Sequence, residues 1–216
     1  MVASIDPMGF TWFSPALLSL AAMLWSVTLS PTAPSPPEIE PPHASLAGDL
    51  LIASPQIRDP RFWHAVILLV KEDKSGALGI VINRPVALVP WASLLNALGL
   101  TGTGVKGTVR VFDGGPVEPS AVFVVQSADY HRTGTIRIDG RVAMTENPEV
   151  LLDIAHGRGP RKSLIAFGYA GWAPGQLAME MARGDWFITA EDAKLVFDEN
   201  RDHVWDDAMA RRTTPL

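Results

Sequence analysis

The sequence predicts one domain of mixed α-helices and β-strands, in which helices cover part of a sheet, preceded by a separate N-terminal segment. Short apolar runs rich in β-branched residues recur after residue 44, one further run alternates apolar with polar residues, and four stretches have helical spacing. The chain has 216 residues, of which 47% are hydrophobic and 19% charged. A chain of this size and composition buries a core without metal or disulfide bonds.

Residues 1–30 form an apolar N-terminal segment. Residues 10–29 contain no charged side chain and have about the length that spans the hydrocarbon core of a bilayer. Residues 16–29 suit the apolar region of a signal peptide. The residues before them, however, contain Asp6 and lack the Lys or Arg that a signal peptide usually has there. We expect a signal peptide or membrane anchor, and hence a periplasmic or membrane-anchored protein. Alternatively, this segment is a buried or disordered extension, or the product of an overlong reading frame. In those cases we expect the protein to be cytoplasmic.

Residues 31–43 are a proline-rich linker, since six of the twelve residues from 31 to 42 are proline. Such a stretch favours extended polyproline conformations and acts as a semi-rigid spacer. The folded domain is therefore predicted to comprise residues 44–216.

Five short apolar runs are predicted to be buried strands, at residues 50–53, 65–70, 78–82, 121–125 and 164–167. Residues 135–139 alternate apolar with polar side chains, which predicts a strand with one wet face. Continuous apolar runs need cover on both faces. We therefore expect these core side chains to be buried: Ile67, Leu69, Val81, Val124, Ile165 and Phe167.

Four helices are predicted from apolar spacing and end signals. The first begins at Pro90 and ends at Gly99, because proline is favoured in a first turn and glycine after a last turn. The second is capped by Asn147 and runs to residue 157. The others span residues 174–183 and about 200–209.

Charge and cysteine content exclude several classes of function. The formal net charge is −5, but three of the 23 acids and no basic residue precede residue 44, which leaves 18 basic and 20 acidic residues. Nucleic-acid binders usually carry a basic patch, so direct nucleic-acid binding is not expected. The absence of cysteine excludes disulfides, thiolate metal sites and thiol nucleophiles.

No catalytic or metal-binding motif is present. The five histidines show no HExxH pairing, and no serine lies in a GxSxG turn. Residues 102–108 have the letters of a phosphate loop in the wrong order. The sequence therefore predicts no catalytic residue, no metal site and no cofactor.

Three segments combine glycines with polar or aromatic side chains at strand ends: residues 79–85, 112–117 and 168–177. Strand ends are where mixed folds tend to place ligands. We expect one concavity surrounded by Asn83, Arg84, Asp113, Gly114, Gly115, Tyr169, Trp172, Gln176 and Glu180. The alternative is structural: the glycines allow close packing, and Arg84 ties down a loop by bonding backbone carbonyls.

The same segments carry a resemblance to the YqgE/AlgH family of bacterial proteins. LLIASP at 50–55, DPRF at 59–62, GIVINRP at 79–85, GGPV at 114–117, GYAGW at 168–172 and GQL at 175–177 are similar to the family's ordered motifs, and the resemblance covers residues 45–210. It implies an α+β fold whose bifurcated, mostly antiparallel sheet curls into a pseudo-barrel with flanking helices. It implies no reaction. Ala178 departs from the family, which usually has an acidic residue there.

These observations together predict a non-catalytic binding or regulatory domain of the YqgE/AlgH type, with a small ligand or a protein as its partner and a membrane contacted through residues 10–29. Two alternatives stay open. One is a cytoplasmic transcriptional regulator, the role usually given to the family on genetic grounds. The other is an enzyme acting on a small anionic ligand through Asn83, Arg84, Asp113 and Tyr169.

Overall fold

A computed structural model describes residues 45–213 of the chain. The predicted apolar segment at residues 1–30, the predicted linker at residues 31–43, and residues 44 and 214–216 of the predicted domain therefore lie outside the described residues. Within residues 45–213, no helix combines the length and the apolar character needed to cross a bilayer.

The described chain contains ten strands and five α-helices. The strands are β1 (Leu50–Ala53), β2 (Val66–Asp73), β3 (Gly76–Val81), β4 (Pro85–Pro90), β5 (Thr108–Asp113), β6 (Val117–Ser127), β7 (Ile136–Arg137), β8 (Val142–Thr145), β9 (Ser163–Trp172) and β10 (Trp186–Thr189). The α-helices are α1 (Trp91–Ala97), α2 (Glu149–Ala155), α3 (Gln176–Ala182), α4 (Ala193–Val196) and α5 (Val204–Ala210), with 3₁₀ turns at Pro60–Phe62 and Arg201–His203.

The sheet is mostly antiparallel and branches at β9. Its main order is β10-β1-β2-β3-β9-β6-β8-β7, and the β4–β5 pair joins it where β5 runs parallel to β9. The first half of β9 therefore lies between β5 and β6, whereas its last three residues pair with β3. This confirms the α+β class. The order is open, with β10 and β7 at its ends, so the expected curl into a pseudo-barrel is not confirmed.

All five predicted buried strands and all four predicted helices occur in the structure. The predicted alternating strand is only partly present, because β7 is two residues long and Ile136 is half exposed. Five of the six predicted core side chains are buried, and Phe167 is only partly buried, packed against the core. Phe167 forms the last pair of the β5–β9 ladder, opposite Asp113.

Three glycines allow the backbone to cross itself where the sheet branches. A Cβ on Gly115 would lie 2.3 Å from the carbonyl carbon of Tyr169, and a Cβ on Gly168 would lie 2.3 Å from the carbonyl oxygen of Gly115. A Cβ on Gly114 would lie 2.3 Å from the carbonyl oxygen of Gly168. The GGPV and GYAGW motifs therefore interlock through their main chains.

Candidate functional site

One cleft in the described part of the chain has a volume of about 360 Å³ and a largely charged and aromatic lining. It lies between the loop before β2, the start of β6, the end of β9 and helix α3. Its lining comprises Ile57, Arg58, Asp59, Arg61, Phe62, Pro116, Val117, Gly171, Trp172, Gln176, Glu180, Arg183, Asp185 and Trp186. A second hollow of about 180 Å³ near α1 and α2 is mostly apolar and includes one charged residue, Glu146.

The Glu180 carboxylate is the focus of the polar groups in this cleft. The indole N–H groups of Trp172 and Trp186 both donate to its Oε2, each at 2.8 Å. The Nε2 of Gln176 donates to its Oε1 at 2.9 Å. Three neutral donors from two strands and one helix therefore fix this carboxylate, and the two indoles are themselves almost fully buried, at 6% and 1% exposure.

Local structure explains how the helix presents these groups. Gly175 adopts a φ of 74° and lets the chain turn into α3 directly after β9. Gln176 and Glu180 are four residues apart, so they share one face of the helix. The Oε1 of Gln176 also accepts from the N–H of Ala173 at 3.0 Å, which locks the amide orientation.

The rim of the cleft carries two internal ion pairs. Arg61 binds Asp59 at 2.7 Å, and Arg183 binds Asp185 at 2.6 Å. The hydrogen bond from Arg61 holds the pKa of the Asp59 carboxyl below its usual value, even though partial burial raises it. Arg58 is exposed, and its side chain has no hydrogen-bond or ion-pair partner among residues 45–213.

Asn83 joins the end of β3 to the start of β2. Its Oδ1 accepts from the N–H of Val66, and its Nδ2 donates to the carbonyl of His64, each at 2.9 Å. Both polar atoms of the amide are thus used by the backbone. His64 has a φ of 53°, and its ring stacks between Trp63 and Trp205, with 3.9 Å between centroids on each side.

Arg84 binds the backbone of the loop that forms one wall of the cleft. Its guanidinium donates to the carbonyl of Arg61, and its Nη2 donates to the carbonyl of Trp63 at 3.0 Å. Burial lowers the pKa of Arg84, while the nearby Asp113 and Asp59 raise it. The residue ties down the 61–63 loop rather than the glycine segment.

We expect Arg84→Gln to lower the free energy of unfolding by roughly 1–3 kcal/mol, because a shorter neutral side chain leaves two loop carbonyls without their charged donor. The urea midpoint measures this effect. The exposed Arg137→Gln is the control and should change stability by less than about 0.5 kcal/mol. An unchanged midpoint for Arg84→Gln, together with loss of ligand binding, would assign the residue to recognition instead.

The other candidates lie at the crossing of β5, β6 and β9. The Oδ1 of Asp113 accepts from the N–H of Gly115 at 3.1 Å, and Gly114 pairs with the backbone of Val81 and Phe167. The Tyr169 ring packs edge-on against Phe123. Trp172, Gln176 and Glu180 thus line the cleft, whereas the remaining six candidates, Asn83, Arg84, Asp113, Gly114, Gly115 and Tyr169, are not among its lining residues.

Eleven of the fourteen lining residues are absent from the candidates predicted from the sequence, among them Trp186 and Arg58. Trp186 lies in β10 and pairs with Ala53 in β1. This register brings the Trp186 indole to Glu180. Arg58 comes from the loop after β1. The ring of Trp186 also contacts Phe62, with 5.5 Å between centroids, so the predicted DPRF motif carries one wall of the cleft.

The lining offers arginines, carboxylates, one amide and two indoles as its charged and hydrogen-bonding side chains. It contains no serine, threonine, tyrosine, lysine or histidine, and its carboxylates accept hydrogen bonds from neighbours in the cleft. Within residues 45–213 no group of three or more His, Cys, Asp and Glu side chains is arranged to hold a metal ion.

A buried carboxyl pair lies away from the cleft. The Glu191 side chain is 3% exposed, and its Oε2 forms an ion pair with Arg141 at 2.8 Å, close to the Asp139 carboxylate. Asp139 in turn accepts from the N–H groups of Arg141 and Val142 at 2.6 and 2.7 Å. Burial first, and then Asp139, raise the pKa of Glu191 from 4.5 to about 7.

This raised pKa predicts a pH-dependent stability. Between pH 4.5 and 7, Glu191 keeps its proton in the native state but loses it in the unfolded state. The free energy of unfolding therefore falls as the pH rises through this range. We expect Glu191→Gln to gain up to ~3 kcal/mol relative to the parent between pH 4.5 and 7.5, as measured by urea unfolding. The exposed Glu118→Gln removes the same charge and is the control. A Glu191→Gln difference that is constant across this window would contradict the assignment.

Comparisons with known proteins agree with the fold. A family model described as AlgH-like, DUF179, matches residues 50–216. A UPF0301 protein of Methylococcus capsulatus is 39% identical over 181 residues, which cover 84% of this chain and 99% of the relative. A UPF0301 protein of Jannaschia sp. is 44% identical, with 76% of this chain and 86% of the relative covered.

Two solved structures are also similar. The solution structure of AlgH from Pseudomonas aeruginosa has a TM-score of 0.68 at 35% identity, and the match covers 78% of this chain and 89% of that one. A crystal structure of a Corynebacterium diphtheriae protein has a TM-score of 0.60 at 24% identity, covers 78% and 87%, and supports the fold alone. The interlocked glycine motifs, the α+β fold and these matches together show that the chain belongs to the YqgE/AlgH family.

Proposed function

We propose that the domain is a non-catalytic binding module that holds a small ligand in the cleft above Glu180. The observation that carries this proposal is the carboxylate fixed by Trp172, Trp186 and Gln176 in the lining of a cleft of about 360 Å³. Preorganised polar groups in a concave, partly apolar site are typical of ligand pockets. The volume lies at the small end of that class.

Several features support binding rather than catalysis. The lining offers no hydroxyl, thiol, amine or imidazole nucleophile, and hydrogen bonds from neighbouring side chains engage its three carboxylates. The Glu180 carboxylate is engaged with three neutral donors, which orient it but give it no proton partner in a reaction. A regulatory role fits this arrangement, because ligand occupancy changes contacts on a loop and a helix at the surface.

The candidates outside the cleft have a supporting part in this proposal. Arg84 fixes the loop that carries Arg61 and Phe62, and Asn83 fixes the adjoining start of β2. The glycines at 114 and 115 set the course of the chain into Pro116 and Val117, which line the cleft. Of the nine predicted residues, three line the cleft, and Asn83, Arg84, Gly114 and Gly115 support its walls.

A thermal-shift screen of the full-length protein against a chemically diverse library of small molecules tests this function. A cleft ligand should raise the melting temperature in a concentration-dependent way, because it binds the native state. The shift should vanish in Glu180→Gln and persist in Met179→Ala, whose side chain is exposed on the same helix outside the lining. Ligands that stabilise Glu180→Gln and the parent equally would contradict the proposal, as would a library without any ligand.

We also propose that the domain works in the periplasm or at a membrane. The support is the uncharged stretch at residues 10–29, which is followed by a proline-rich spacer. Mass spectrometry of the protein purified from its own cells would locate the mature N-terminus. Cleavage near residue 30, or recovery with membranes, supports the proposal, whereas an intact N-terminus in the soluble cytoplasmic fraction contradicts it.

A further inference from the structure

We infer that the ligand of the cleft is a small zwitterion, a molecule that carries an ammonium or guanidinium group at one end and a carboxylate at the other. Free amino acids and short peptides have this chemistry. The inference rests on the proposed function, since it concerns the same cleft, and it adds the charge pattern that the ligand must have.

The charges of the cleft carry this inference. Six charged side chains line it, three cationic and three anionic. Four of them neutralise one another as the pairs of Arg61 with Asp59 and of Arg183 with Asp185. Arg58 and Glu180 remain without an ion-pair partner within residues 45–213. The cleft therefore presents one unmatched charge of each sign.

Glu180 is suited to receive a cation. Its hydrogen-bond partners are two indoles and an amide, which are neutral and leave its negative charge uncompensated. A carboxylate has about four lone-pair positions, and three are occupied, so one is open to a ligand donor. Charges withdrawn from water are costly unless they are paired, and Glu180 is half buried. A ligand cation would supply the missing partner.

Arg58 is suited to receive an anion. Its guanidinium is exposed at the mouth of the cleft, and none of its five N–H donors is used within the described chain. A planar guanidinium binds a carboxylate through two parallel hydrogen bonds. The neighbouring loop is held in place by Arg84, which keeps this donor group at the rim.

Apolar side chains also line the cleft: Phe62 on the loop, and Pro116 and Val117 at the start of β6. A cationic group bound at Glu180 and a carboxylate bound at Arg58 would therefore be joined by an uncharged, partly apolar body. An α-amino acid or dipeptide with an apolar side chain has this distribution.

The experiment is isothermal titration calorimetry of the full-length protein with matched probes. The probes are a panel of apolar amino acids and dipeptides, their N-acetyl derivatives, which lack the cation, and their C-terminal amides, which lack the carboxylate. We expect at least one zwitterion to bind about tenfold more tightly than both of its derivatives, because each derivative loses one charged contact.

Two variants assign each charge to its residue. Glu180→Gln should reduce zwitterion affinity about tenfold and leave the affinity for the N-acetyl derivative unchanged. Arg58→Gln should also reduce the affinity for the zwitterion about tenfold, and it should leave the affinity for the C-terminal amide unchanged. Arg137→Gln, an exposed arginine outside the cleft, is the control and should change neither. Because Arg58 has no partner in the fold, this variant stays informative even if Glu180→Gln fails to fold.

The result that overturns the inference is distinct from failure of the proposed function. If library ligands bind the cleft but no zwitterion binds more tightly than its singly charged derivatives, the zwitterion assignment is wrong and the binding function stands. Equal losses for a zwitterion and its N-acetyl derivative in Glu180→Gln would likewise remove Glu180 as the cation site.

Discussion

Replacing Gly115 with alanine is expected to lower the free energy of unfolding by about 4 kcal/mol or more. Gly115 has a φ of 143°, which L-residues rarely adopt, and the added Cβ would lie between 2.3 and 2.5 Å from backbone atoms of Tyr169 and Ala170. Backbone atoms of a central strand cannot move aside without breaking the sheet at its branch. Urea unfolding followed by circular dichroism measures the loss.

The control for this substitution is Gly104→Ala. Gly104 also has a positive φ, of 77°, but a Cβ there would meet no atom within 4 Å. We expect a cost of roughly 1–2 kcal/mol, which reflects backbone strain alone. Equal losses for the two variants would mean that the close crossing of the two glycine motifs contributes nothing to stability.

Truncating Ile67 to alanine is expected to cost roughly 2–5 kcal/mol, because the side chain is fully buried in the centre of the sheet. Ile67 pairs with Leu51 and Val81 within the sheet and packs in a buried apolar cluster that includes Trp186, so its truncation leaves a cavity among these side chains. The urea midpoint should fall at an unchanged slope, as for a loss of stability without a change in the unfolded state.

Val86→Ala is the matched control, since it also shortens an apolar β-branched side chain in a strand. Val86 is 66% exposed on β4, and its truncation should change the free energy of unfolding by no more than about 0.5 kcal/mol. A small effect at Ile67, comparable with that at Val86, would be incompatible with a β2 strand in the core.

The central strands could be predicted from the sequence because their signal is local. Residues 65–70 and 164–167 are continuous apolar runs, and only a doubly covered strand uses such runs at that length. Strands β4 and β10 were missed for different reasons. Prolines at both ends of β4 obscure a strand that forms only one pairing, and β10 is four residues long and joins the edge of the sheet beside β1.

The candidate site was less predictable, because most of its contacts join distant parts of the chain. The spacing of Gln176 and Glu180 indicated a shared helix face, and that expectation agrees with the hydrogen bond between them. No local pattern reveals that the register of β1 with β10 brings Trp186 to the same carboxylate. Nor does the sequence show that Arg84 donates hydrogen bonds to the backbone carbonyls of Arg61 and Trp63.

The branch of the sheet illustrates why residue types could be interpreted from the sequence while their contacts could not. Gly114 and Gly115 were recognised as residues that permit close backbone approach, and they do so in the structure. Their partners, however, lie more than 50 residues later in β9. A residue type restricts what a position can do, whereas the identity of its neighbour is decided by topology.

The indole N–H resonances of Trp172 and Trp186 provide the most direct measurement of the central claim. Both groups donate to Glu180 at the base of the cleft, so a ligand that contacts this carboxylate must change their chemical environment. Titrating a thermal-shift ligand into ¹⁵N-labelled full-length protein should shift these two signals, assigned through Trp172→Phe and Trp186→Phe, and leave that of Trp91 unchanged. Saturation with the ligand while both cleft indoles stay unshifted would place binding elsewhere and contradict the account.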